Sequence, residues 1–193
     1  MITHIQGKLV EKNPTDVVID CNGVGYMLNI SLHTYSQIPA GDHLKLFTHL
    51  QVKEDSHTLY GFSSLAEREI FRLLISVSGI GASIARTMLS SLTPKQVIEG
   101  IASSDVALIQ SIKGIGVKTA QRVIIDLKDK VFKIYDIDEV SISKGNTNKD
   151  EALSALEVLG FVRKQAERVV DKIIMAQPDA NIETIIKQAL KNL

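Results

Sequence analysis

Two segments of the chain repeat one pattern built around glycine. Residues 74–89 read L-I-S-V-S-G-I-G-A-S-I-A-R-T-M-L and residues 109–124 read I-Q-S-I-K-G-I-G-V-K-T-A-Q-R-V-I, with Gly79 and Gly114 at the same place in each. In both copies an apolar helical segment stops at Gly-Ile-Gly and a second helix starts at once, the layout of a helix-hairpin-helix. The first turn of that second helix leaves backbone N–H groups without intrahelical partners, and the helix dipole adds partial positive charge there. Glycine permits backbone angles closed to other residues and keeps side chains out of the mouth of the turn, so a phosphate can approach. Two such turns can grip a nucleic-acid backbone without reading bases.

Other uses of Gly-x-Gly fit less well. A dinucleotide-binding fingerprint needs a preceding strand and a small residue five positions after the first glycine, where this chain has Ile84 and Thr119. The segments before the glycines have helical periodicity instead, with Ile70, Leu73, Leu74 and Val77 on one face. Lys118-Thr119 lacks the directly preceding glycine of a P-loop, and no G-x-x-x-x-G-K-[ST] occurs anywhere, which speaks against ATP hydrolysis by this chain. One Gly-x-Gly between helices is usually a plain tight connection, but two matching copies favour phosphate binding.

The elements that must position these turns follow from patterning. Alternating or β-branched runs at 5–10, 17–21, 26–30, 44–52 and 58–62, separated by turn clusters, predict five strands and an OB-type barrel over residues 1–64. The barrel is poor in aromatics and acidic, so base stacking is weakly supported and assembly is an equal role. Residues 65–134 read as an all-helical domain, helical to about Lys133, with Thr93 and Pro94 as a helix start. Residues 135–149, ending in S-I-S-K-G-N-T-N-K, are too polar to bury much apolar area and predict a flexible linker. Residues 150–193 predict three short helices with a break at Gly160-Phe161. The expected fold is thus multidomain α+β: barrel, tandem hairpins and a C-terminal three-helix bundle. Leu156, Leu159 and Phe161 either present a patch to a partner or form that bundle's own core.

Charge and composition narrow the function. The 193 residues carry 22 basic and 22 acidic side chains, yet residues 65–133 hold ten basic against six acidic while residues 1–64 hold four against six. The positive excess coincides with the hairpins, as expected if they meet phosphates and the remainder meets protein. No long uncharged apolar segment and no signal-peptide layout are present, which predicts a soluble intracellular protein. The single cysteine, Cys21, reads as a small strand residue, and His4, His33, His43, His49 and His57 lack metal-ligand spacing. Neither a metal nor a cofactor is expected.

Over its whole length the chain resembles the RuvA family, the Holliday-junction-binding subunit of the bacterial RuvAB branch-migration complex. The most specific pieces are V-K-E-D-S-H-T-L-Y-G-F at 52–62 and I-K-G-I-G-V-K-T-A-Q-R at 112–122, within the order barrel, paired hairpins, linker and L-G-F module. The resemblance implies a non-enzymatic homotetramer, one or two per junction, that holds a four-way junction open for recombination, DNA repair and the SOS response. It implies a separate hexameric ATPase, RuvB, as the motor, the resolvase RuvC as a further partner, and a cytoplasmic location with the nucleoid.

The resemblance also assigns residues. Together with the phosphate argument it points to the amides around Gly79, Ile80, Gly81, Gly114, Ile115 and Gly116 as backbone ligands. Lys118 and Arg122, four apart on one helix, face the same way beside them. Glu54 and Asp55, in sequence alone ordinary acids at a tight turn, become an acidic pin that repels phosphates at the junction centre. Leu156, Leu159, Phe161 and Leu190 become the motor-binding surface. The chain departs from its family in having Ala82 and Ser83 where many relatives place a lysine, and Lys113 where proline is usual. The first hairpin should therefore rely on amides more than on side-chain charge. Two rivals stand: a hairpin-bearing repair nuclease or glycosylase, which needs an added catalytic cluster that the sequence does not display, and a protein-assembly adaptor.

Overall fold

The computed structural model describes residues 2–142, 148–177 and 180–193, and the chain divides into two compact units, 1–138 and 139–193. In the first unit, strands β1 (His4–Lys12), β2 (Asp16–Cys21), β3 (Val24–Asn29), β4 (His43–Val52) and β5 (His57–Phe62) close an OB-type barrel in the order β1-β2-β3-β5-β4. Every pairing is antiparallel except β3 with β5. Strand alternation explains the filling: Val17 and Ile19 of β2, Leu28 of β3 and Leu44 and Leu46 of β4 point inward and are buried. Cys21 is half-buried, and its thiol donates to the Gln6 carbonyl at 3.2 Å.

Between β3 and β4 lies a short helix that the strand pattern does not anticipate, α1 (Leu32–Gln37). Its N-cap is Ser31, whose hydroxyl oxygen accepts from the Thr34 N–H. Six residues are too few for an apolar periodicity to show in sequence, so only the cap marks it.

Five helices follow the barrel: α2 (Leu65–Ile75), α3 (Ala82–Ser91), α4 (Pro94–Ala102), α5 (Val106–Gln110) and α6 (Val117–Ile142), the last crossing the boundary of the first unit at Asp138. Ser64, Thr93 and Asp105 cap α2, α4 and α5, and Thr93 with Gln96 forms a full capping box ahead of Pro94. The outer face of β4 and β5 packs on α2. There Phe71, fully buried, touches Tyr60 and Phe62 at 5.0 Å between ring centroids and His49 at 5.5 Å. Burial, then the charges of Arg72 and Arg68, hold the His49 imidazole below its usual pKa.

One boundary differs from the sequence reading. Helix α6 continues past Lys133 through the first part of the expected linker to Ile142. Residues 134–142, I-Y-D-I-D-E-V-S-I, contain no glycine or proline, and the first strong breaker is Gly145. Residues 143–147 of that expected linker lie outside the described residues, and its last two residues, Asn148 and Lys149, already belong to the next helix.

The second unit holds α7 (Asn148–Val158), α8 (Arg163–Ala176) and α9 (Ile182–Asn192), packed as a three-helix bundle around Leu153, Leu156, Val170 and Ile185. Gly160, at φ +96°, ends α7: the Phe161 N–H reaches back to the Leu156 carbonyl at 3.1 Å and the Gly160 N–H to that of Glu157 at 3.0 Å. Leu156 is fully buried, which corrects its assignment to a partner surface. Leu156 lies with Ala152 and Leu153 on the side of α7 that faces the core of the bundle. Phe161 is partly buried against the same core, whereas Leu159 and Leu190 are exposed, joined by Val158 and Val162 that sequence reasoning overlooked.

Candidate nucleic-acid interface

Each glycine repeat forms the same four-residue turn. The Ile80 N–H donates to the Val77 carbonyl at 3.0 Å, and the Ile115 N–H to the Ile112 carbonyl at 3.0 Å. The third residue of each turn is the glycine, at φ +97° for Gly79 and +95° for Gly114, the left-handed region that a type II turn demands there. Val77, Ile80, Ile112 and Ile115 are all buried in the helical core. Apolar anchors thus hold both turns at the surface while Gly79, Gly81, Gly114 and Gly116 stay exposed.

This geometry corrects two of the expected amide donors. The N–H groups of Ile80 and Ile115 are consumed inside their turns, so these residues act as anchors and not as phosphate ligands. The N–H groups of Gly79 and Gly114, exposed and without a turn partner among the described residues, stay available, and the next donors come after Ile80 and Ile115. Gly81 is the N-cap of α3 and has no side chain to cap the helix, and its carbonyl accepts from the Ala85 N–H at 3.0 Å. Gly116 opens α6 in the same manner, accepting from the Ala120 N–H at 2.9 Å. The first-turn amides of α3 and α6 are therefore offered outward with a helix dipole behind them.

The two hairpins contact each other reciprocally. A Cβ placed on Gly79 lies 3.7 Å from Thr119, and one on Gly114 lies 3.7 Å from Ile84. Thr119 and Ile84 hold equivalent places in their own repeats, five residues past the glycine, so the hairpins are related by an approximate two-fold axis. Both turns thereby belong to one surface.

Lys118 and Arg122 are exposed one helical turn apart, on a shallow groove of α6 shared with Gln121, Ile125 and Asp126. The Arg122 guanidinium also reaches the Ser78 carbonyl in the other hairpin's turn, at 3.5 Å. The first hairpin lacks its own lysine, and α6 brings a cation to it. No sequence spacing of 44 residues could have announced that contact. Lys113 is exposed at the tip of the second turn, the counterpart of Ser78.

Glu54 and Asp55 are exposed in the turn between β4 and β5, closed by the Lys53 N–H donating to the Ser56 carbonyl at 2.8 Å. They sit on the barrel, within the same compact unit as the hairpins. Among the described residues no three His, Cys, Asp or Glu side chains are grouped to hold a metal ion, and no helix is long and apolar enough to cross a membrane.

Stability and anion access separate at the glycines. Gly79→Ala and Gly114→Ala should each cost about 1–3 kcal/mol, because the backbone stays in a region that alanine resists while its Cβ meets only ordinary contacts at 3.7 Å. Gly116→Ala meets open space at an ordinary φ, so its melting temperature should stay much closer to that of the parent while its methyl group intrudes on the anion mouth. Melting curves and DNA binding measured on the three variants check both halves.

The architecture defines a class: a tandem helix-hairpin-helix protein whose backbone-gripping turns are mounted on a five-stranded barrel. Family comparison agrees along the chain, matching the RuvA N terminal domain at residues 1–61, the SAM-like helix-hairpin-helix tandem at 71–129 and the RuvA C-terminal domain at 147–193. Among similar proteins, the Holliday junction branch migration complex subunit RuvA of Flavobacterium psychrophilum is 75% identical and that of Christiangramia forsetii 66%, each over the full length of both chains. The protein of the same name from Cytophaga hutchinsonii is 47% identical over 99% of both. The chain belongs to the RuvA family.

Proposed function

We propose that this chain is the structure-specific DNA-binding subunit of a branch-migration complex. It binds Holliday junctions as a homotetramer, holds them open, and recruits the hexameric ATPase RuvB, with no catalysis of its own. The observation that carries the reading is the pair of reciprocal glycine turns, each opening a helix whose first-turn amides face outward. Such donors contact phosphates and carry no base code, so recognition follows junction shape. Branch migration requires that indifference, since a complex that read bases would stall at preferred sequences. The names of the relatives support the same subunit role. The work belongs in the bacterial cytoplasm with the nucleoid, where RuvC is the further partner that resolves the junction.

The hairpins, the barrel and the C-terminal module divide the work. The amides at Gly81 and Gly116, with Lys118 and Arg122, hold the arms. Glu54 and Asp55 of each protomer repel the crossing strands at the centre. Leu159 and Leu190 on the C-terminal module, flanked by Val158 and Val162, face the motor.

A gel-shift competition between a synthetic four-way junction and duplex of the same sequence tests the reading, with mass measurement of the free protein and its complex giving stoichiometry. Equal affinity for both DNAs, or no retardation of either, refutes it. Removing residues 150–193 should leave junction binding intact while abolishing stimulation of the motor ATPase. Loss of both activities would show that the module is needed for the fold of the remainder.

A further inference from the structure

Glu67, in the first turn of α2, is fully buried, and no Lys or Arg among the described residues lies within ion-pair distance of it. Its carboxylate is held by hydroxyl and amide donors of three residues from two separate stretches of chain. Ser31 Oγ donates to one oxygen, and Thr34 Oγ1 (2.6 Å), Ser63 Oγ (3.2 Å) and the Ser63 N–H (3.3 Å) donate to the other. Ser31 and Thr34 belong to the start of α1, and Ser63 follows the last barrel strand. The Ser31 hydroxyl at the same time accepts from the Thr34 N–H, so its position is fixed by the cap of α1 as well as by Glu67. The N-terminal end of the α2 dipole also favours a negative charge there.

Among the described residues, further and less buried polar ties run from the barrel and α1 to α2 and α3 of the first hairpin. Arg68 donates to the Thr3 carbonyl at 3.0 Å, Arg86 to Asn29 Oδ1 at 2.7 Å and to the Thr15 carbonyl at 3.3 Å, and the Leu32 N–H to Ser90 Oγ at 3.1 Å. A buried carboxylate without a cation tolerates few geometries, since any tilt that removes a donor leaves charge unsatisfied in a dry site. The two turns are linked to each other by reciprocal packing, so whatever orients the first hairpin orients both.

We propose that Glu67 is a positioning residue for junction recognition: its buried carboxylate, tied to Ser31, Thr34 and Ser63, sets the orientation of the glycine turns against the barrel that carries Glu54 and Asp55. This rests on the junction-binding reading above. Selectivity for a junction depends on gripping the arms and repelling the centre at once, so an error in that orientation harms junction binding more than duplex binding.

Glu67→Gln keeps the size of the side chain and one acceptor oxygen, but it removes the charge, and with that oxygen turned toward Thr34 and Ser63 its NH2 group cannot accept from the Ser31 hydroxyl. The folded variant, verified by circular dichroism, should bind duplex within about twofold of the parent and lose about tenfold of its junction-over-duplex preference, on the scale of one hydrogen bond to a charged group. Thr34→Val should lose preference in the same direction, and Thr34→Ser, which restores the hydroxyl, should recover it. An unchanged preference in folded Glu67→Gln overturns the proposal, as does a parallel fall in both affinities that tracks the melting temperature. Should Glu67→Gln fail to fold, the Thr34→Val and Thr34→Ser pair decides by the same criteria. If the parent protein itself shows no junction preference, the junction reading fails separately. Glu67 is then judged by the distance between spin labels at His57 and Lys95 in a Cys21→Ser background, diluted with unlabelled protein. Broadening of that distance by Glu67→Gln supports the positioning role, and an unchanged distribution refutes it.

Discussion

Replacing Lys118 and Arg122 together by alanine should weaken junction binding by roughly 10- to 100-fold at moderate salt, and flatten its salt dependence by about 0.9 in log–log slope for each phosphate that a protomer no longer neutralises. The size follows from where the two cations sit. Lys118 stands in the first turn of α6 beside Gly116, and Arg122, one turn on, lies against the Ser78 carbonyl of the opposite hairpin. Removing Arg122 therefore strips charge from both turns, including the one that has Ala82 and Ser83 and no lysine of its own. Arg122→Ala alone should accordingly do more harm than Lys113→Ala, whose side chain is exposed at the tip of one turn only. All these side chains are exposed, so the melting temperature should barely move. Binding isotherms across a series of salt concentrations supply the measurement. An unaltered slope would remove both residues from the interface.

The second large effect is a gain in one affinity and a loss in a ratio. Glu54→Gln with Asp55→Asn should strengthen duplex binding severalfold and lower junction-over-duplex preference by about an order of magnitude, because the proposed function has these like charges repel phosphates at the centre of a junction. The turn itself should persist. Its closing bond runs between the Lys53 N–H and the Ser56 carbonyl and does not involve either carboxylate. The charge effect is thus separable from folding, and high salt should shrink the difference between the variant and the parent. A gel-shift competition at two salt concentrations measures it. Preference equal to the parent's at both would leave Glu54 and Asp55 as ordinary turn residues.

Much of this molecule is written in short stretches of chain. The five strands appear as runs of alternating or β-branched residues, and β2 at Asp16–Cys21 lies where the run at 17–21 placed it. The glycine repeats announce their own turns, since a φ near +95° at the third turn position selects glycine from purely local sterics. Caps at Ser64, Thr93 and Asp105 mark helix starts in the same local way. What the strand pattern missed, α1, is short enough that no periodicity accumulates. Helix α6 runs on through polar sequence to Ile142 because no glycine or proline interrupts it before Gly145.

The roles of individual atoms were decided elsewhere. A sequence shows that Ile80 and Ile115 flank glycines, but only packing reveals that their side chains are sunk in the core and their amides spent on Val77 and Ile112. Likewise Leu156 and Leu159 are close in the chain, yet one is buried and the other exposed, because the positions of α8 and α9 determine which side of α7 is covered. Local backbone angles depend on a residue and its neighbours, so turns, caps and strands could be read directly. The Glu67 cluster, the approach of Arg122 to Ser78 and the reciprocal seating of the hairpins join residues tens of positions apart. Those contacts exist only once loop-closure entropy has been offset by burial, and that balance is struck by the folded whole.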